Sequence, residues 1–308
     1  MKVNKIGIVV FLVTMSLMMG SAAAVNVNPN MNNAQIQNVV NSVPIGSTIN
    51  FLPGTYNGIS LTINKTLSLT TNGATLIGNG SSVMNIAGTS GVSIQGFNIN
   101  INNRDADGIT GSNVYNCTIE NNTITNGEDG INIFMLYANL TINNNTINDM
   151  AGTNGDGISL VNHNTAIDMS TFVPSTITNN HISNTLYGIF LGGNFKGDVT
   201  GNSIAGTTAG MSITGKKAAT NGILSANIIN NSITGIAMEC PHVQYLSLDN
   251  NAISQLGTSG YSILTNGYFV KTGSISVTNN PFTYPVTPEF MGNATTWTGN
   301  TLDGNPYP

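Results

Sequence analysis

The chain is poor in charge, in aromatic residues and in cysteine. Only 7% of its 308 residues are Asp, Glu, Lys or Arg, 6% are aromatic, and there is one tryptophan. Such a composition can signal disorder, but 40% of the residues are hydrophobic and they recur at fixed offsets, which disordered chains do not show. Acidic residues outnumber basic ones, 13 to 8, which argues against nucleic acid as a partner and is compatible with cations or neutral glycans. The sequence has no zinc-ligand spacing, phosphate-binding glycine loop or nucleophile triad. Its repeated elements include no run of ten or more residues with helical periodicity and no leucine-rich framework, so helical solenoids and leucine-rich repeats are excluded.

One long apolar run is present, at the start. Met1–Lys5 carries two positive charges, Ile6–Met19 is apolar, and Ser21-Ala22-Ala23-Ala24 supplies the small residues of a cleavage site. This reads as a signal peptide over residues 1–24, too short to span a bilayer, and implies export without a membrane span in the mature chain. Residues 25–47 read as an N-terminal segment with a capping helix, because Ile36, Val39, Val40 and Val43 fall at helical spacing. Residues 48–280 read as repeated coils. Residues 281–308, with five prolines and Trp297, read as an irregular C-terminal cap.

What fills the chain instead is asparagine and glycine, 49 and 35 residues. They punctuate two interleaved elements. One is Gly-apolar-x-apolar, as in Gly130-Ile131-Asn132-Ile133, Gly157-Ile158-Ser159-Leu160, Gly188-Ile189-Phe190-Leu191 and, last, Gly260-Tyr261-Ser262-Ile263. The other is mostly Asn-Asn-x-Ile, as in Asn121-Asn122-Thr123-Ile124, Asn144-Asn145-Thr146-Ile147 and Asn179-Asn180-His181-Ile182. Period-two alternation within short, turn-bounded elements is the mark of strands with one buried face. Coils of 22 to 31 residues built from such strands predict a single-stranded, all-β parallel β-helix. Its asparagine columns are expected to hydrogen-bond along the stack and to tolerate left-handed corners.

A helix followed by Ile49-Asn50-Phe51-Leu52-Pro53-Gly54-Thr55-Tyr56 and stacked Asn-Asn-x-Ile coils resembles the right-handed parallel β-helix, pectate-lyase-like superfamily, which includes carbohydrate-active enzymes and adhesin-like surface proteins. In this register Cys117 and Cys240 lie five coils apart. Five steps of about 4.8 Å exceed disulfide reach, so the two are expected to remain unpaired.

Five of the thirteen acidic residues cluster at one corner of three consecutive coils: Asp105 and Asp107, Glu128 and Asp129, and Asp156. Asp107, Asp129 and Asp156 each precede the repeat glycine and should stack in one column. Three readings stay open: Asp-Gly turn chemistry, a Ca2+ site formed by all five carboxylates, and paired catalytic carboxylates. If the chain did not turn at Asp-Gly, strict alternation would bury three stacked charges. Asp105-Ala106-Asp107-Gly108 and Gly127-Glu128-Asp129-Gly130 resemble two motifs of polygalacturonase-type glycosidases. That resemblance implies Asp107 and Asp129 as catalytic carboxylates and Glu128 as their partner. The family's histidine and Arg-Ile-Lys motifs have no counterpart, since Gly155-Asp156-Gly157 stands where Gly-His-Gly would.

Tyr137, His163, Lys196 and Lys217 are candidates to flank a glycan groove at the next corner. Eight Asn-x-Ser/Thr sequons permit glycosylation where they are exposed. The sequence as a whole predicts a secreted or cell-surface protein that binds polysaccharide or a neighbouring surface without cleaving it. The alternatives are a polysaccharide lyase or glycosidase using Asp107 and Asp129, and a purely structural envelope component.

Overall fold

The computed structural model of the chain describes residues 24–151, 155–162, 168–214, 223–239, 242–266 and 270–308. Short strands alternate with corners, and each coil between Thr48 and Asn266 visits three sheets in turn. Sheet 1 has 12 strands, from Ala24–Val27 to Thr296–Thr298. Sheet 2 also has 12, from Gly54–Ile59 to Asn305–Pro306. Sheet 3 has nine, from Leu61–Ile63 to Ile263–Asn266. All pairings are parallel except the last in sheet 2, where Thr301–Leu302 turns back on Asn305–Pro306. The predicted register holds through the middle coils. Ile109, Ile131, Ile158 and Ile189 stack in sheet 3, and Ile124, Ile147, Ile182 and Ile204 stack in sheet 2. These columns form one continuous apolar core along the axis.

The corner between sheets 1 and 2 shows why asparagines come in pairs. The first of each pair is exposed and left-handed, with φ of 58° at Asn121, 52° at Asn144 and 55° at Asn179. Glycine replaces it where the pair is broken, at Gly96, Gly201 and Gly299, because glycine adopts that conformation freely. The second asparagine is buried. Asn122, Asn145, Asn180, Asn202, Asn231, Asn251, Asn280 and Asn300 form one ladder. In each step the backbone N–H and the Nδ2 of one asparagine both donate to the Oδ1 of the next, over 2.8 to 3.1 Å. The same Nδ2 also donates to a sheet 1 carbonyl of the preceding coil, as from Asn180 to Ile142 at 3.0 Å. Left-handed backbone and laddered amide are thus divided between the two members of the pair.

The ends depart from the sequence reading. Ala24–Val27 precedes the helix and already pairs with Thr48–Phe51, so sheet 1 begins before the expected first coil. The helix itself, Asn33–Ser42, starts at a capping box between Asn32 and Gln35 and buries Ile36 and Val40. The tail is more regular than an irregular cap. Its strands extend sheets 1 and 2, Asn300 extends the asparagine ladder, and Trp297 stacks on Phe282 at 5.9 Å. The last sheet 3 repeat is displaced by two residues, with Ile263 rather than Tyr261 opposite Ile236. Leu256–Tyr261 closes on itself there: the Leu256 N–H donates to the Tyr261 carbonyl, and Gly257 and Gly260 are left-handed, so the strand starts later. Cys117 is a buried free thiol that donates to the Tyr115 carbonyl at 3.3 Å; Cys240 lies outside the described residues.

The two asparagines of a pair should therefore respond oppositely to one substitution. Asn179→Gly should leave thermal stability within about 2 °C of wild type. Asn180→Gly strands the two Asn145 donors and should cost roughly 2–5 kcal/mol, lowering Tm by about 10 °C. Equal melting temperatures for the two variants would contradict the ladder assignment.

Candidate functional site

The acidic column sits where sheet 2 hands over to sheet 3, and the carboxylates are wired along it. Asp107 Oδ1 accepts the Asp129 N–H at 3.2 Å, and Asp129 Oδ1 accepts the Asp156 N–H at 2.8 Å. Asp107 Oδ2 accepts from Asn132 Nδ2 at 3.2 Å. Asp156 is flanked by the Ser159 side chain and the Tyr187 backbone, while its Oδ1 is buried without a partner. Asp105 is exposed, and Glu128 is half-buried beside the column.

Two sequence expectations are corrected here. Charge alone argues that stacked carboxylates stay out of the interior and that the chain turns at Asp-Gly to keep them out, yet Asp129 and Asp156 are 6% and 5% exposed. They are tolerated because their acids are driven toward the neutral form. Desolvation, reinforced by the neighbouring carboxylates, raises Asp129 to about 7 and Asp156 to about 8. Asp107 and Glu128 are raised as well, in both cases mainly by desolvation, with Asp107 and Asp105 adding to the effect on Glu128. The Asp-Gly glycines, in turn, are not there for a left-handed turn. A Cβ on Gly130 would lie 2.5 Å from Ile147 Cγ2 and 2.7 Å from the Gly157 carbonyl oxygen, and Gly108, Gly157 and Gly188 are equally confined. Glycine is required because sheets 2 and 3 meet too closely there for any side chain.

The outer face of sheet 3 runs from this column. Asn132, Ser159 and Phe190 follow one another in register on that face. Tyr187 takes the position of Asp156 in the next coil and stacks on Phe190, with centroids 5.9 Å apart and planes at 21°. Both rings are half-buried. Further along the face Phe134 and Met135 are 40% and 55% exposed. The aromatic pair was legible in principle, since Tyr187-Gly188-Ile189-Phe190 occupies the slot of Asp156-Gly157-Ile158-Ser159.

The remaining expected residues do not join this site. Tyr137, expected to flank a groove, is 1% exposed; it packs edge-on against Phe172 and donates its hydroxyl to the Asn194 carbonyl at 3.1 Å, as a core residue. It shares the alternation of inward Ile131 and Ile133, and a register shift between Ser112 and Val114 pairs it with inward-facing Val114. Lys196 lies at the opposite corner, its Nζ donating to the Met169 carbonyl at 2.9 Å. His163 and Lys217 fall outside the described residues. No group of three or more His, Cys, Asp or Glu among the described residues is arranged to hold a metal ion. The oxygens of Asp107 and Asp129 accept from neighbouring N–H groups instead of converging on a shared cation, so the expected Ca2+ set of Asp105, Asp107, Glu128, Asp129 and Asp156 does not fit a calcium ion as placed.

No protein-family model matches the chain, and no curated protein matches it in sequence. Solved structures do. The tailspike protein of E. coli bacteriophage HK620 superposes with a TM-score of 0.60 at 13% identity, over 89% of this chain and 56% of that one. Jun a 1, the major cedar pollen allergen, gives 0.54 at 16%, over 94% and 83%. A PL6-family alginate lyase gives 0.60 at 15%, over 86% and 40%. The fold is a right-handed parallel β-helix. At these identities the likeness establishes architecture alone, and the chain spans little more than half of the tailspike it matches. Among the described residues no helix is long and apolar enough to cross a membrane.

Raised carboxyl pKa values make stability depend on pH with a definite sign. An unfolded aspartate ionises near pH 4, whereas Asp129 keeps its proton to about 7. Between those values the folded state binds the extra proton, so stability falls as pH rises. Asp129→Asn retains an Oδ1 acceptor for the Asp156 N–H and removes the titration. Its Tm should fall less than that of wild type between pH 4.5 and 8.5, by the equivalent of about 1–3 kcal/mol. Parallel pH profiles for the two proteins would refute the burial-driven shift.

Proposed function

We propose that this chain is a secreted or cell-surface β-helix protein that binds a polysaccharide along the outer face of sheet 3 without cleaving it, in the manner of an adhesin. The observation that carries this reading is the stacked, half-buried Tyr187–Phe190 pair on the same face as Asn132 and Ser159. An aromatic platform beside an amide suits a sugar ring, which presents an apolar face and a polar edge. Two proteins of similar architecture lend support: the HK620 tailspike was solved with a pentasaccharide, and a GH87 α-1,3-glucanase catalytic domain (TM-score 0.53) with nigerose. Against cleavage, both oxygens of Asp107 and Oδ1 of Asp129 accept from N–H groups of neighbouring residues.

One observation favours a second reading, a polysaccharide-cleaving enzyme. Asp156 is an acid raised to about 8 whose Oδ1 has no partner, which is the equipment of a general acid at neutral pH. A panel of neutral and acidic polysaccharides, assayed for both binding and reducing-end release, separates the two. Binding without release is expected, and Phe190→Ala should weaken it about tenfold with Tm unchanged. Reducing-end release that disappears in Asp129→Asn or Asp156→Asn would overturn the non-catalytic reading, and failure to bind any polysaccharide would overturn both.

A further inference from the structure

We infer a second carbohydrate site, built for an uncharged sugar, in a groove at the end of sheet 2. The inference rests on the glycan-binding reading but on none of the sheet 3 residues that carry it. The groove encloses about 780 Å³ and is lined by Arg104, Asp149, Ala151 and five asparagines, among them Asn126 and Asn184. Asn126, Asp149 and Asn184 hold the same corner position in three successive coils, each following a residue paired in the Thr125, Asn148, Ser183 register. All three are left-handed, with φ of 64°, 60° and 53°. Polar side chains are thereby presented once per coil, about 4.8 Å apart, on a rigid backbone.

The charges of the groove decide the ligand. Arg104 is the only arginine in the chain. It is exposed on the loop that precedes Asp107, lines the groove and carries five donors. Asp149 is oriented by two amides, accepting from Asn148 Nδ2 at 2.7 Å and Asn184 Nδ2 at 3.1 Å, and its oxygens retain acceptor capacity. One cation and one anion cancel, and the surrounding amides supply donors and acceptors together. That mixture matches the hydroxyls of a neutral sugar, each of which both donates and accepts. A polyanionic chain would meet Asp149, the nearby Asp105 and the acidic protein as a whole. Among the described residues no aromatic side chain lines the groove, so recognition there runs through hydroxyl groups and not through stacking.

The test uses the full mature chain with Phe190→Ala, which weakens the sheet 3 platform, and titrates it by calorimetry. The probes are neutral gluco-tetrasaccharides of α-1,3, α-1,4, β-1,3 and β-1,4 linkage, with tetragalacturonate as the anionic comparison. At least one neutral probe should bind, and adding Arg104→Gln or Asp149→Asn should weaken it tenfold or more with Tm unchanged. Tetragalacturonate binding more tightly than every neutral probe, in an Arg104-dependent way, would overturn the assignment to uncharged sugars. Neutral probes that bind wild type but not Phe190→Ala, or that ignore both groove substitutions, would remove the second site and leave the sheet 3 reading standing. Absence of binding by wild type to every probe and polysaccharide would remove both.

Discussion

From Asn122 onward the coils of this molecule hang on a column of buried side-chain amides. A parallel β-helix has no helix layer to brace its sheets, and each coil is too short to bury its own apolar residues. Eight asparagines from Asn122 to Asn300 fix the spacing by giving each coil two donors to the next and one to the coil before. Because these amides are shielded from water, every one must be satisfied, and slippage by one residue would leave several orphaned donors at once. The ladder therefore sets register more stringently than the apolar columns, which tolerate other apolar residues, as where Val199 and Leu248 flank Ile228 in sheet 1.

That fixed register explains the acidic corner. Once the coils are locked, the residues before each repeat glycine must stack, and the glycine must stay side-chain-free because sheets 2 and 3 converge on it. Aspartate at such a position is held against the backbone N–H of the next coil and loses its hydration. The column shifts toward neutrality and becomes part of the wall beside the outer face of sheet 3. The same locking spaces the Tyr187–Phe190 pair, Asn132 and Ser159 at the coil repeat. A flank organised this way is suited to an extended polymer more than to a compact ligand.

Much of the architecture was legible because it repeats. Asn-Asn-x-Ile and Gly-apolar-x-apolar gave the sheets, the central register and the stacking of Asp107 on Asp129. What escaped was everything decided by depth instead of by period. Tyr137 reads as an outward candidate by type, yet it shares the alternation of inward Ile131 and Ile133 and pairs with buried Val114. Asp-Gly reads as turn chemistry, yet the glycine answers to an isoleucine from another coil, a contact invisible along the chain. Tyr261 matches the repeat by pattern and loses its place to Ile263, because two left-handed glycines close the preceding loop. The sugar-stacking candidates Tyr187 and Phe190 were hidden for the opposite reason: they fill repeat slots so regularly that nothing singled them out.

The central claim, that the buried amides clamp the coils into one register, is tested most directly by native-state hydrogen exchange of their backbone N–H groups. Asn145, Asn180, Asn202, Asn231 and Asn251 should exchange as a single, most slowly opening group, with protection close to that of global unfolding. Exchange of these five at rates that differ from coil to coil, or well before global unfolding, would show that the ladder follows the fold instead of holding it.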